Sequence, residues 1–299
     1  MPFNAAVFTV FLCILFGANA VAVKISFTGL GIFTSAGVRF SIAAVTIYLW
    51  ARVTGKPLGV RRGQIIQLLL LALIFFSQLS LFYVGLRQTT ASHGTLIANI
   101  LPFGVMVLAH FFVPGEKIVL RRFLGLILGF VGVLLLFFDS ASITARMVAG
   151  DLLILLAVVV WSFNAVYTKR IIGNYHPLQI TLYPMMISSL LFFTCGILFD
   201  EIMVIKIDLT IIKSMAYQIF VTASFGMVAW NTMIRRYGAT PLHSFVYIMP
   251  VSGVVLGVLM LNEPLTYNLI ASLLLIASGL IIVNRGKKMD TSKKGGNKE

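Results

Sequence analysis

The stretch Phe3–Lys24, "FNAAVFTVFLCILFGANAVAVK", carries no charge until its last residue. At about 1.5 Å per helical residue it is long enough to cross the roughly 30 Å hydrocarbon core of a bilayer. Its closing segment, "NAVAVK" at 19–24, returns 145 residues later as "NAVYTK" at 164–169, where it ends a second apolar run, "LLILLAVVVWSFNAVYTK" at 152–169. A greasy helix that closes on Asn and Lys, and does so twice, points to a membrane chain built from a repeat.

The rest of the chain agrees. Of 299 residues, 59% are hydrophobic and only 11% charged, with a mean hydropathy of +1.00. Soluble domains carry roughly a quarter charged residues, so a soluble fold has too little polar surface to cover this chain. The net charge of +14 is concentrated in short loops and in the tail "NRGKKMDTSKKGGNKE". That placement sets orientation in a membrane. No basic stripe interleaves with aromatics, so nucleic acid is not an expected partner. Cys13 and Cys195 lie inside apolar runs and read as small buried hydrophobes. No CxxC, HExxH, Walker A or GxGxxG stretch occurs, so no metal, no cofactor and no catalytic residue is expected.

A helix needs about 20 apolar residues to span a bilayer. By that rule the spans are 4–24, 32–51, 64–86, 91–113, 119–138, 150–169, 178–199, 211–234, 240–260 and 266–284. The expected fold is an all-α polytopic membrane protein of ten transmembrane helices. "GANA" at 17–20 has the small-residue pattern of a signal-peptidase site, but no Lys or Arg precedes the apolar run. A retained first helix is the expectation. Arg52, Lys56, Arg61, Arg62, Lys117, Arg121, Arg122, Lys169, Arg170, Arg235, Arg236 and the basic tail would face one side, and Arg87, Arg146, Lys206 and Lys213 the other. This asymmetry predicts a multi-pass protein of the cytoplasmic membrane with both termini cytoplasmic.

Two further segments repeat. "LRQTTASHGTLIANILPF" matches "IRRYGATPLHSFVYIMPV", pairing Arg87 with Arg235, Ala91 with Ala239 and Pro102 with Pro250. "GEKIVLRRFLGLILGFVG" matches "NEPLTYNLIASLLLIASG", pairing Glu116 with Glu263 and Gly132 with Gly279. The chain therefore reads as two five-helix copies, 1–146 and 147–286, followed by a basic cytoplasmic tail, 287–299. Five is odd, so the second copy enters the membrane from the opposite side. Such inverted repeats are found in many secondary transporters, where the halves rock around a central site.

With these residues the chain resembles the drug/metabolite transporter superfamily, EamA-type. The resemblance rests on Asn and Lys closing helices 1 and 6, on Pro102 and Pro250, and on the "GEKIVLRRFLG" and "NEPLTYNLIAS" segments, and it covers nearly the whole chain. It implies a secondary transporter that moves a small metabolite, such as an amino acid or amine, by alternating access, with export the expected direction. Small multidrug pumps of the superfamily use a carboxylate in helix 1, and helix 1 here has none. A channel-like protein or a membrane-embedded enzyme are the alternatives. An enzyme would need a nucleophile–base pair or metal cluster within the spans, and His110 has no partner at ligand spacing.

Polar residues within apolar spans are the candidates for a path. In helix 4, Ser92, Thr95, Asn99 and Pro102 share one face; their repeat partners in helix 9 are Thr240, His243, Tyr247 and Pro250. A proline leaves a carbonyl free one turn earlier, which in lipid requires protein or water beside it. The stripe either lines a cavity or glues helices together. Gln78 and Tyr83 in helix 3, Trp161 and Asn164 in helix 6, and Trp230 and Asn231 in helix 8 complete the expected substrate-binding set with Asn19. For Asn19 and Asn164 two roles stand open, a bond to a neighbouring helix or contact with substrate. Lys24 and Lys169 read as boundary residues, with gating or substrate contact as the second role. Arg39, inside helix 2, costs about 2.5–3.5 kcal/mol on insertion scales. A structural or gating role is the first reading for it, and attraction of an anion the second.

All acidic residues are expected at helix ends, in loops or in the tail, so no midplane carboxylate is available to carry protons. His93 and His243 are the remaining titratable candidates. Uniport or exchange is the primary reading, with proton coupling through histidine the runner-up. The expected partners are a small-molecule substrate and lipid, with the protein a monomer or homodimer.

Overall fold

Apolar runs of this length, in a chain whose backbone must bond itself wherever it meets lipid, leave helix as the natural solution. The computed structural model describes residues 2–112, 120–136, 144–237, 245–246 and 248–285. In chain order the helices are α1 (Phe3–Gly17), α2 (Asn19–Ser26), α3 (Ile32–Val53), α4 (Arg62–Gln88), α5 (Ala91–Ala98), α6 (Leu101–Phe112), α7 (Leu120–Leu136), α8 (Ala145–Ile171), α9 (Pro177–Phe199), α10 (Leu209–Ala216), a π-helical segment (Tyr217–Gly226), α11 (Met227–Tyr237), α12 (Ile248–Leu261) and α13 (Tyr267–Arg285). Seven continuous or nearly continuous helices are long and apolar enough to cross a membrane, and three shorter apolar helices, Phe123–Leu136, Ile248–Leu261 and Tyr267–Ile282, fall where the remaining spans are expected. The protein is a multi-pass, all-helical membrane protein.

The outer surface supports this. On α4, Ile66, Leu69, Leu70 and Leu73 are exposed while Leu68, Leu71 and Ala72 on the opposite face are buried. So much exposed apolar surface far exceeds what a soluble monomer shows. Lipid is the solvent that suits it.

Two of the spans are interrupted and a third is irregularly wound. The first breaks at Ala18, between α1 and α2. Gly17 sits tight against α12 there: a Cβ on it would lie 1.9 Å from Ser252 Oγ and 2.5 Å from the Met249 carbonyl. The fourth breaks at Asn99–Ile100, so Pro102 stands in the first turn of α6 rather than mid-helix. Proline suits that position, where its missing N–H has no helical acceptor to lose. Pro250 takes the same place in the first turn of α12. The eighth span is continuous but over-wide, winding as a π-helix from Tyr217 to Gly226.

The principal packing seams run between α4 and α8, α3 and α9, and α7 and α13, while α1 lies against α12. Gly85 and Gly150 let α4 and α8 touch backbone to backbone, each being 2.7 Å from the other's carbonyl if given a Cβ. A ring cluster ties α3, α4 and α9: Phe40 lies 5.2 Å from Phe75 and 5.8 Å from Phe192, which is 4.9 Å from Phe76.

Both ends of the bundle are laced. At one end Leu30 and Val204 form an antiparallel bridge, and Gly31 N–H donates to the Met203 carbonyl at 3.0 Å. Asp200 accepts from Thr34 N–H and Oγ1, both at 2.8 Å, and so caps α3. Asp208 caps α10; the Ile211 N–H at 2.9 Å, with the Lys206 ammonium at 3.0 Å, holds its carboxyl below the usual carboxylate range. At the other end Gln64 donates to the Asn174 carbonyl at 2.7 Å, Tyr175 to Gln67 at 2.7 Å, and Tyr183 and Gln179 to the carbonyls of Leu58 and Gly59.

Candidate functional site

A buried arginine organises the middle of the bundle. Arg39 leaves α3 on its core face and is only 7% exposed. Its Nη1 donates to Tyr83 OH of α4 at 3.0 Å and to Gln218 Oε1 at 3.4 Å. Its Nη2 donates to Thr222 Oγ1 at 3.2 Å, and its guanidinium lies 5.1 Å from the Phe40 ring centre. Gln218 and Thr222 both belong to the π-helical segment. The wider winding replaces the four-residue spacing of a regular helix with five, and Ser224 Oγ accordingly donates to the Ile219 carbonyl, five residues back.

Asn19 joins this set where the first span breaks. Its Oδ1 accepts from Thr222 Oγ1 at 3.1 Å. Gln218 Nε2 and Ser214 Oγ reach the Ala22 carbonyl on the next turn, at 3.1 and 2.6 Å. Four elements thus meet through Asn19, Arg39, Tyr83, Gln218 and Thr222. Gln78 is also buried on α4, and its Oε1 has no hydrogen-bond partner.

The helix 4 residues are placed differently. Thr95 packs on α12, where a Cβ on Gly253 would lie 2.7 Å from its Oγ1; that oxygen is itself unpartnered. Asn99 turns back on its own helix, donating to the Thr95 carbonyl at 2.8 Å. Ser92 sits at the end of the bundle and donates to Glu263 Oε2 at 2.5 Å, while Ala91 N–H gives 2.5 Å to Oε1 of the same carboxylate. Glu263 therefore caps the N-terminus of α5 together with Thr90, whose Oγ1 accepts from His93 N–H at 3.1 Å, and its negative charge complements the helix dipole.

Beside this cap lies a second buried cluster. Asp151 is 1% exposed; it accepts from Thr89 Oγ1 at 2.5 Å and meets His93 Nδ1 at 2.8 Å. Lys24 donates to the Thr89 carbonyl. Lys24 is thus half-buried and bonded to protein rather than reaching outward to headgroups. This corrects the expectation that every acid lies at a helix end: α8 begins at Ala145, so Asp151 stands nearly two turns inside it. A cleft of about 230 Å³ opens beside the cluster, lined by Thr90, His93, Met147, Glu263, Thr266 and Leu269.

The remaining expected residues do not join the Arg39 set. Asn164 Oδ1 accepts from Thr168 of its own helix at 3.3 Å, and Trp161 is half-buried on the same helix. Trp230 packs edge-on against Phe16 at 5.9 Å. His243 and Tyr247, and the side chains of Lys169 and Asn231, lie outside the described residues. Gln218, Thr222 and Asp151 were not singled out from sequence. Gln218 and Thr222 did carry a signal, two polar residues four apart inside an apolar span.

The sequence profile of the EamA-like transporter family matches this chain twice, over residues 4–138 and 148–285. The chain belongs to the EamA-like transporter family. Among curated relatives, "Uncharacterized transporter YyaM" of Bacillus subtilis (strain 168) is 25% identical over 259 residues, covering 83% of this chain and 85% of the relative. The "Probable amino-acid metabolite efflux pump" of Escherichia coli (strain K12) is 24% identical over 90% of this chain and 91% of its own length. The "Probable terminal-alkyne amino-acid exporter" of Streptantibioticus cattleyicolor is 24% identical, with 99% of each chain covered. A solved crystal structure superposes with a TM-score of 0.70 at 18% identity, covering 94% of this chain and 98% of that one, and so shares its fold. The chain is a membrane transporter, and family membership points to transport rather than catalysis.

Proposed function

We propose that this transporter exports a small metabolite of the amino-acid or amine class by alternating access between two inverted five-helix halves, residues 1–146 and 147–286. One observation carries the reading. An interrupted first span and a π-wound eighth span meet at a shared polar set, Asn19, Arg39, Tyr83, Gln218 and Thr222. Substrate sites of secondary transporters are typically built where discontinuous helices free polar groups near the middle of the membrane.

Other features support the halves. The family profile aligns separately to each. The seams α3–α9 and α7–α13 each join an element to its own repeat partner. Basic loops favour both termini on the cytoplasmic side of the cytoplasmic membrane. With no nucleotide-binding motif in the chain, the energy comes from a solute gradient. In this arrangement the Lys24–Thr89 bond and the Leu30–Val204 bridge belong to an outer gate that is closed.

Counterflow in proteoliposomes tests the proposal. Vesicles preloaded with unlabelled compound would be offered a panel of labelled amino acids, amines and nucleosides. A carrier gives saturable uptake that overshoots when its own substrate is inside, with an amino acid or amine among the active compounds. Linear flux without overshoot would place the protein among channels and end the alternating-access reading.

A further inference from the structure

We propose that Arg39 is the group that binds a carboxylate on the transported molecule, so that the substrate class is amino acids rather than simple amines. The inference rests on the transporter reading above and deepens it. Its starting point is a charge without a counter-charge. An arginine side chain stays protonated in a protein, and among the described residues no carboxylate lies within ion-pair distance of Arg39. The buried or half-buried acids Asp151, Asp200 and Glu263 have partners of their own. Asp151 is held by Thr89 and His93, Asp200 caps α3, and Glu263 caps α5.

What surrounds the guanidinium is neutral and exchangeable. Its acceptors are a phenol, a side-chain amide and a hydroxyl, at 3.0 to 3.4 Å. Charge-assisted N–H···O⁻ bonds are shorter, about 2.7–2.9 Å. Among the described residues the Nε hydrogen of Arg39 has no acceptor, although the atom is buried. A guanidinium presents its donors as a planar fork that matches the two oxygens of a carboxylate. Here one edge of the fork is incompletely used and the rest is engaged by neutral side chains rather than by backbone.

The position of those partners adds a second, independent observation. Two of the three sit on a ten-residue π-helix, a winding that is rare and concentrates at functional sites. Thr222 Oγ1 accepts from Arg39 and has both Asn19 Oδ1 and the Gln218 carbonyl within donor range, at 3.1 and 2.9 Å. One hydroxyl hydrogen cannot serve both fully. The set can therefore shift its bonds when an anion arrives, Tyr83 and Gln218 turning away from the fork while Asn19 remains to meet a polar group on the ligand. An arginine placed only to join helices would be expected to hold a carboxylate or backbone carbonyls, bonds that need not be broken.

The test uses full-length protein in proteoliposomes and a matched panel, each of the common amino acids and its methyl ester. The ester removes the negative charge; because it also lowers the ammonium pKa, competition is measured at mildly acidic pH, where both series keep the ammonium charge. Competition against the best substrate in counterflow is measured for wild type, Arg39→Lys and Arg39→Gln. The proposal expects the acids to compete and each ester to be at least tenfold weaker in wild type. It expects Arg39→Lys to keep part of the acid–ester difference and Arg39→Gln to erase it. Esters competing as well as their acids in wild type would overturn the inference while leaving a saturable carrier in place. If neither series competes and no saturable flux is found, the transporter reading falls and the inference with it. The wild-type comparison alone can overturn the inference, and Arg39→Lys still tests the residue even if Arg39→Gln fails to fold.

Discussion

A single hydroxyl–amide bond, from Thr222 to Asn19 at 3.1 Å, joins the broken first span to the π-helix. Interhelical polar bonds in membranes average only about 0.6 kcal/mol. A substrate bond whose loss strands a buried partner is worth about 1–3 kcal/mol, roughly ten- to hundredfold in affinity. Asn19→Ala is therefore expected to leave thermal stability in detergent nearly unchanged while weakening substrate competition in counterflow by at least tenfold. Early melting with normal competition by the folded fraction would make Asn19 a helix tie instead. Its position was legible, because an amide inside an apolar run must find a partner. Its partner was not, since Thr222 lies 203 residues away along the chain. Asn164 shows the converse: the same motif, "NAV", places an amide at the same point of a span, but here it bonds Thr168 within its own helix. Local sequence sets where an amide stands, and packing sets what it meets.

Elements were legible where length and apolar content decide them. Seven expected spans fall on helices long enough to cross a membrane and three on shorter apolar helices, and Pro102 marked the interruption of the fourth, because a missing N–H cannot be hidden. The break at Ala18 carries no proline. It follows from how closely α1 approaches α12 at Gly17, a contact between distant segments. The π-winding of "YQIFVTASFG" has no residue that demands it. Asp151 was misplaced because a hydropathy window starts where apolar residues start, whereas α8 starts at the Thr144 cap, whose Oγ1 accepts from Met147 N–H at 3.2 Å. Close seams depend on glycine. Gly85→Ala would bring a methyl to 2.7 Å from the Gly150 carbonyl, a backbone atom that cannot step aside without moving α8. Overpacking of this kind costs about 1–3 kcal/mol. The expected result is a clearly lower melting temperature for Gly85→Ala. Gly63→Ala, where nothing lies within 4 Å, should melt no earlier than wild type. Equal melting of the two would contradict the seam.

At the scale of the whole molecule, the contacts give the bundle two distinct ends. Gly85 of α4 touches Gly150, near the start of α8, at the end where Lys24 meets Thr89. Met233 and Tyr237 of α11 cluster with Ala5 and Phe8 at the start of α1, at the opposite end. Arg87 and Arg236, both exposed, flank corresponding segments of the two halves. Alternating access requires that these corresponding segments face opposite sides of the membrane, since two gates of like construction must open in turn. The direct measurement is side-specific labelling with a membrane-impermeant thiol reagent. Arg87→Cys and Arg236→Cys would each be made in a protein whose Cys13 and Cys195 are replaced by serine, then labelled in intact cells and in inverted membrane vesicles. Arg87→Cys is predicted to label from outside the cell and Arg236→Cys only in inverted vesicles; labelling of both from the same side would contradict the inverted arrangement on which the transport cycle depends.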